Sequence, residues 1–237
     1  MRKILVAALI GLTGILHVHS QDTVSKLLEK GMKKQERGAV KSAIKVYGKA
    51  IILNQNRPEA YYLRGNAWFD LEEFQKAVED YSRLITMQPD YQDAWFNRGN
   101  AYYEQGDFEL SVTDFTQSVK LDSGFADNWF NRGNALFKLN RFEEALHDFD
   151  MGLALDTANA DGYYDRGNAH YSIKDFETAI DDYTRAIALQ GETFDYYFNR
   201  ALAYFSLQMD DKACLDLARA KELGDPEAKE YIRELCK

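Results

Sequence analysis

Apolar positions along this chain recur with two nested periods. Within residues 94–121, Trp95, Gly99 and Tyr102 fall four and three residues apart, and after Gln105-Gly106-Asp107 the series resumes as Phe108, Val112, Phe115 and Val119. Spacings of three and four place such residues on one face of a helix. A Gln-Gly-Asp sequence between them is a turn signal. The pattern predicts one helix over Ala94 to about Glu104 and a second over Phe108–Leu121, folded back as a hairpin. The longer period is 34 residues. Arg-Gly-Asn-Ala stands at Arg64–Ala67, Arg98–Ala101, Arg132–Ala135 and Arg166–Ala169, with weaker copies around Gly31 and at Arg200-Ala201. Six units follow, at about 26–59, 60–93, 94–127, 128–161, 162–195 and 196–229. A two-helix hairpin is too thin to bury its own apolar face, so neighbours stack. The expectation is a single all-α array over residues 21–237, closed by a capping helix at about 226–237.

Three columns within the period need a physical reason. Gly65, Gly99, Gly133 and Gly167 lie opposite Ala77, Ser111, Ala145 and Ala179 in their hairpins. A mid-helix glycine costs about 1 kcal/mol relative to alanine, so close helix approach is the expected compensation, with Ala201 facing Ala213 in the last unit. Arg64, Arg98, Arg132, Arg166 and Arg200 are each followed 16 residues later by Asp80, Asp114, Asp148, Asp182 and Asp216. That constant spacing brings arginine and aspartate level across a hairpin, and a partly buried guanidinium favours a bidentate carboxylate. The column reads as repeated structural ion pairs rather than as a stripe for anionic ligands. Asparagine is a mediocre helix former that gains nothing in a dry core. Asn66, Asn100, Asn134 and Asn168, with Asn97, Asn131 and Asn199 three residues before the small position, therefore belong on an accessible face. Asp165 takes the latter place in the fifth unit.

In these features the sequence resembles the tetratricopeptide repeats. Tyr61, Gly65, Trp68, Ala77, Tyr81 and Pro89 match that family's pattern in the second unit, as do Trp95, Gly99, Tyr102 and Phe115 in the third. Trp129, Gly133, Ala145 and Phe149, then Tyr163, Gly167, Ala179 and Tyr183, carry it onward. The family's leucine is replaced by arginine in units two to six. The resemblance implies a right-handed superhelical solenoid whose first helices line a concave groove. Its lining would be the asparagines and Asp165, with Tyr62, Phe96, Phe130, Tyr164 and Phe198, and then Phe69, Tyr103, Phe137, Tyr171 and Phe205. Two readings of the asparagines stay open: contact with a bound segment, or hydrogen bonding between repeats that fixes their geometry. Unit one departs, with Glu29 and Met32 at the matching places. The cations of the carboxylate-clamp subclass are missing. Glu59, Asp93, Asp127, Asp161 and Asp195 open the first helices, where they suit the helix dipole or would select a cationic segment.

Before the array stands "MRKILVAALIGLTGILHVHSQ". Its basic start, 13-residue apolar run from Ile4 to Leu16 and modest side chains before Ser20 read as a signal peptide over residues 1–20. Export is the expectation, to a periplasmic or extracellular compartment, with Gln21 as the mature start. Thirteen residues at about 1.5 Å each fall short of a bilayer core of roughly 30 Å, so no membrane insertion is expected. Net charge is −9, and loss of Arg2 and Lys3 makes it more negative, which argues against a nucleic-acid partner. Cys214 and Cys236 are the chain's two cysteines. Gly224-Asp225-Pro226 reads as a helix stop and start, and the cysteines lie equidistant from it, facing each other across the turn. In an exported chain they are expected to form a disulfide.

No catalytic constellation is evident. His147 and His170 lack Cys or His at metal-ligand spacing, so neither metal nor cofactor is expected. The function expected is a non-catalytic scaffold holding a protein or peptide segment in the groove, with acids along one edge favouring a basic segment. Alternatives are a structural subunit of an envelope assembly using convex or end surfaces, and an enzyme with a cryptic acid pair.

Overall fold

The computed structural model describes residues 22–236, so the signal peptide expected over residues 1–20 lies outside the described residues. Among the described residues there is no strand, and helices follow one another with short turns. The chain divides into two compact units at Asp107. The first holds α1 (residues 22–36), α2 (Val40–Leu53), α3 (Pro58–Phe69), α4 (Phe74–Met87) and α5 (Gln92–Gln105). The second holds α6 (Phe108–Leu121), α7 (Ala126–Lys138), α8 (Phe142–Leu155), α9 (Ala160–Ser172), α10 (Phe176–Leu189), α11 (Phe194–Ser206), α12 (Asp210–Glu222) and α13 (Ala228–Leu235). In the first, α2, α3, α4 and α5 pack in succession. In the second, each helix from α6 to α13 packs on the next, and α7, α9 and α11 also meet as neighbours. The expected all-α class and paired-helix repeat are present, although α1 begins before the expected start of the first unit.

Every hairpin turn is built the same way. Gly38, Glu72, Gly106, Asn140, Lys174 and Gln208, one repeat apart, all have positive φ between 58° and 83°. The next residue's N–H then reaches back five residues to a helix carbonyl, as in Glu73 to Trp68, Arg141 to Leu136 and Asp175 to His170. This left-handed closure satisfies carbonyls that the helix end leaves open.

The helical glycines serve a partner other than the expected one. Ala77, Ala145 and Ala179 are fully buried, but what excludes a side chain from the glycine is an aromatic ring four residues further along. A Cβ on Gly65 would lie 2.7 Å from Tyr81 Cε1, one on Gly133 2.7 Å from Phe149 Cε1, and one on Gly167 2.7 Å from Tyr183 Cε1. Gly31 meets Tyr47 in the same way. The ring lies across the facing helix, where only hydrogen fits. The last hairpin confirms the reason: Leu217 replaces the ring, and Ala201 replaces the glycine, both fully buried.

Arginine and aspartate pair as expected within the units. Arg64 Nε and Nη2 donate to Asp80 at 2.7 Å each, Arg132 to Asp148 at 2.7 Å each, Arg166 to Asp182 at 3.0 and 2.6 Å, and Arg200 to Asp216 at 2.7 and 2.8 Å. The remaining nitrogen, Nη1, turns to the preceding repeat. It meets Ser82 from Arg98, Thr116 from Arg132, Asp150 from Arg166 and Thr184 from Arg200, at 2.7–3.3 Å. Each guanidinium also lies 5.0–5.9 Å from the centroid of the preceding aromatic, Tyr61, Trp95, Trp129, Tyr163 or Tyr197. One side chain thus closes its own hairpin and ties it to its predecessor.

The C-terminal cap is held covalently. Cys214 and Cys236 are joined, with Cα atoms 5.7 Å apart, and α13 packs on α12. The helix begins at Ala228, two residues later than the sequence suggests, and the Asp225 carboxylate accepts from the N–H groups of both Glu227 and Ala228 ahead of it.

Two stability outcomes follow. Gly167→Ala should destabilise by about 1–3 kcal/mol through overpacking, and much less in a Tyr183→Leu background. Equal costs in both backgrounds, measured by urea denaturation, would show that the ring is not the cause. The Ser111 hydroxyl, at the place of those alanines, is fully buried and finds no hydrogen-bond partner among the described residues. Ser111→Ala should therefore stabilise the protein by about 1 kcal/mol.

Candidate functional site

The face formed by first helices carries, in each unit, a pocket at an equivalent place in the repeat. In the first unit a pocket of about 350 Å³ is lined by Gln35 from α1, Asn66, Phe69 and Asp70 from α3 and its end, Tyr81 from α4, and Asn97 and Asn100 from α5. In the second unit a pocket of about 270 Å³ is lined by Phe137 from α7, Asn168, Tyr171 and Ser172 from α9, Tyr183 from α10, and Asn199 and Leu202 from α11. Each residue of the first pocket stands three repeats before its counterpart in the second.

Shared residues build a common floor. The ring that lies on Gly65 extends its hydroxyl to the next residue, so that Tyr81 Oη donates to Asn66 Oδ1 at 2.7 Å. The same oxygen accepts from Asn97 Nδ2 at 3.2 Å, one repeat on, and Asn97 Nδ2 also lies 3.4 Å from Tyr62 Oη. In the second unit Tyr183 Oη donates to Asn168 Oδ1 at 2.8 Å, and Asn199 Nδ2 donates to Asn168 Oδ1 at 3.1 Å and to Tyr164 Oη at 2.7 Å. Burial pushes the Tyr81 and Tyr183 hydroxyls up, well beyond the ordinary phenol range, so both stay donors at neutral pH. Asn97 and Asn199 are held by their nitrogens. Among the described residues nothing donates to their Oδ1 atoms, and neither oxygen is a buried unsatisfied group.

Both readings of the asparagines therefore have a place in the geometry. Asn66 to Asn97 and Asn168 to Asn199 are inter-repeat hydrogen bonds, and the same four residues line the pockets. Asn100 completes the first pocket. Asn131 and Tyr103 are half-buried, as is Phe96.

In the first aromatic column Phe130 is buried, whereas Tyr62, Phe96, Tyr164 and Phe198 are half-buried. Phe130 is 6% exposed, packed against Gly152 of α8 and Gly162 of α9, where a Cβ would lie 2.6 Å from its ring. Tyr62 packs edge-on against Tyr91 and Phe198 edge-on against Tyr231 of the capping helix, while Tyr164 packs at a tilt against Tyr183 and Tyr196. Tyr91 caps α5 and Tyr196 stands in α11, so Tyr62 and Tyr164 also reach the next hairpin. The second column does reach the pockets, through Phe69, Phe137 and Tyr171. Each stacks edge-on with the first residue of the next helix at 5.2–5.3 Å between centroids, on Phe74, Phe142 and Phe176.

The sequence reading missed Tyr81 and Tyr183 as polar contributors, and Gln35, Asp70, Ser172 and Leu202 as lining. Stepping by whole repeats from Phe137 and Asn100 would have found Gln35 and Leu202. The first-turn acids sit where the dipole favours them, and Asp161 also accepts from Tyr196 Oη at 2.5 Å. His170 Nδ1 lies 3.2 Å from Asp175, and no group of His, Cys, Asp and Glu that could hold a metal occurs among the described residues.

Asp165 departs from the asparagine column in a telling way. Its neighbour across the repeat, Asn134, faces Phe149 rather than a tyrosine, so no phenol donates to that amide, and Asn134 donates to the Asp165 carboxylate instead. Burial, with Asp161 adding to it, raises the Asp165 carboxyl to about 6, against the pull of Asn134 and Lys138. A carboxyl raised in the folded state binds its proton more tightly than in the unfolded chain. Its contribution is fully present below about pH 4 and is lost as pH rises to about 6. Asp165→Asn should remove that part of the pH slope and raise stability at pH 7 by about 1–3 kcal/mol, read from denaturation of both proteins at pH 4 to 7.

Family and structural comparisons agree with this architecture. The TPR repeat profile matches residues 35–71, 65–106, 99–140 and 133–174, and the tetratricopeptide repeat profile matches residues 160–192. No curated protein matches the chain. Among solved structures, Pseudomonas aeruginosa PilF is 16% identical, with 91% of this chain and 99% of that one covered and a TM-score of 0.74. YrrB, a TPR protein described as having an unusual peptide-binding site, is 17% identical, covering 80% and 98%, with a TM-score of 0.69. MamA from Desulfovibrio magneticus is 18% identical, covering 70% and 94%, with a TM-score of 0.68. Likeness at these identities shows the fold, and the repeat matches show the family: this chain belongs to the tetratricopeptide repeats.

Proposed function

We propose that the protein is an exported, non-catalytic scaffold that holds an extended or helical segment of another protein on its first-helix face. The observation that carries this is the state of Asn97 and Asn199. Each is fixed by donating hydrogen bonds into the fold and keeps its amide oxygen available beside an aromatic pocket wall. An amide oxygen held in this way accepts from a peptide N–H without first losing side-chain entropy, which is the benefit of preorganisation. YrrB, of the same fold, is described as peptide-binding, which is in keeping with the reading. The arginine column is taken up by aspartates, so it supplies no free cation row for an anionic ligand. Export is supported by the leader pattern at residues 1–20 and by the cystine, since disulfides persist in oxidising compartments.

The test uses residues 21–237 carrying a photo-crosslinking amino acid at Leu202 in the second pocket, or at Leu215, a 72% exposed residue of α12. Irradiated in the envelope extract of the source cells, the Leu202 protein should give a discrete adduct and the Leu215 protein none. Adducts from Leu215 alone would place partner binding on the outer surface and overturn the proposal. A Ser172→Arg substitution should reduce the Leu202 adduct at least fivefold while leaving the melting temperature within about 3 °C, a change of under roughly 1 kcal/mol.

A further inference from the structure

We infer that the two pockets select different side chains of bound protein segments: the first-unit pocket a lysine or arginine, the second-unit pocket an aliphatic or aromatic residue. This rests on the reading of the first-helix face as a binding surface and adds what each half of it recognises.

The shared floor makes the comparison controlled. Asn66, Tyr81 and Asn97 recur as Asn168, Tyr183 and Asn199, with the same hydrogen bonds. The amide grip is therefore common to both pockets, and preference lies in the four places that differ. In the first unit these are Gln35, Phe69, Asp70 and Asn100; in the second, Phe137, Tyr171, Ser172 and Leu202. Asp70 is exposed at the end of α3. Its Oδ2 accepts from Gln35 Nε2 at 2.6 Å, and no lysine or arginine pairs with it among the described residues. Its field is felt by Tyr47, whose hydroxyl is pushed up to about 12 by burial, then by Asp70 and Glu36. A carboxylate at the pocket wall beside amide oxygens adds negative charge and acceptors, which fits a cationic side chain.

The second pocket has lost each of these groups. Ser172, at the place of Asp70, turns its hydroxyl back on its own helix, donating to the Asn168 carbonyl at 2.8 Å. Phe137 is locked edge-on against Phe142, and Leu202 replaces an amide. A cation entering there would lose water without gaining a carboxylate, whereas an apolar side chain would bury surface against Phe137, Tyr171 and Leu202.

Three small probes test this on the intact mature protein: the N-acetyl, N′-methylamide derivatives of glycine, lysine and leucine, titrated while the asparagine side-chain amide signals are followed by two-dimensional nitrogen–proton NMR. The lysine probe should shift Asn66 and Asn97 at concentrations at least fivefold below those needed to shift Asn168 and Asn199. The leucine probe should do the reverse. Salt at 0.5 M should weaken only the lysine response, since screening acts on the charge. Asp70→Ser should abolish the lysine preference of the first pocket, and Ser172→Asp with Leu202→Asn should create one in the second, the spectrum itself reporting that each variant is folded. Equal responses of both pockets to lysine and leucine, with the glycine probe also binding, would overturn the selectivity and leave the binding surface standing. No response to any of the three would overturn both.

Discussion

A ring set against a helical glycine is the contact on which much else in this protein depends. Because Gly65, Gly133 and Gly167 carry no Cβ, Tyr81, Phe149 and Tyr183 can cross the facing helix at the depth where a methyl group would stand. At that depth the tyrosine hydroxyl comes level with the asparagine that follows the glycine, and donates to it. The asparagine oxygen is thereby oriented to receive the amide of the next repeat, one residue column away. A packing constraint inside one hairpin becomes a polar contact between hairpins, and that contact forms a pocket floor.

The arginines extend the same logic to the other side of the first helix. A guanidinium has donors in a fixed fork, and here two go to the aspartate of its own hairpin while a third meets a hydroxyl or carboxylate of the previous one. Asp80, Asp148, Asp182 and Asp216 are buried, and a buried carboxylate stripped of its guanidinium costs about 3–5 kcal/mol. The column is therefore committed to structure, and its recurrence marks register between repeats rather than ligand binding. Stacking on Tyr61, Trp95, Trp129, Tyr163 and Tyr197 further fixes the planes.

Where the repeats depart from one another, chemistry changes with them. Phe149 in place of a tyrosine leaves Asn134 free to donate, and Asp165 in place of an asparagine receives it. Leu217 in place of a ring allows Ala201 in place of glycine. Ser172 and Leu202 in place of Asp70 and Asn100 exchange a polar pocket end for an apolar one. A repeat protein thus keeps one scaffold and varies single side chains at equivalent points on it.

The 34-residue period and its apolar spacing determined the helix pairs, their order and the arginine–aspartate pairing, because each depends on residues close in sequence and on a hairpin whose turn position the pattern reveals. The pairing of Cys214 with Cys236 was legible for the same reason. Only the tertiary structure decided that the glycines answer to aromatic rings four residues beyond the alanines, since ring orientation depends on the crossing of two helices. It alone buried Phe130 against Gly152 and Gly162, while Phe69, Phe137 and Tyr171 reach the pockets. Adjacent aromatics on one helix look alike in sequence, and which of them meets a neighbour is set by the rotation of that helix against the next repeat.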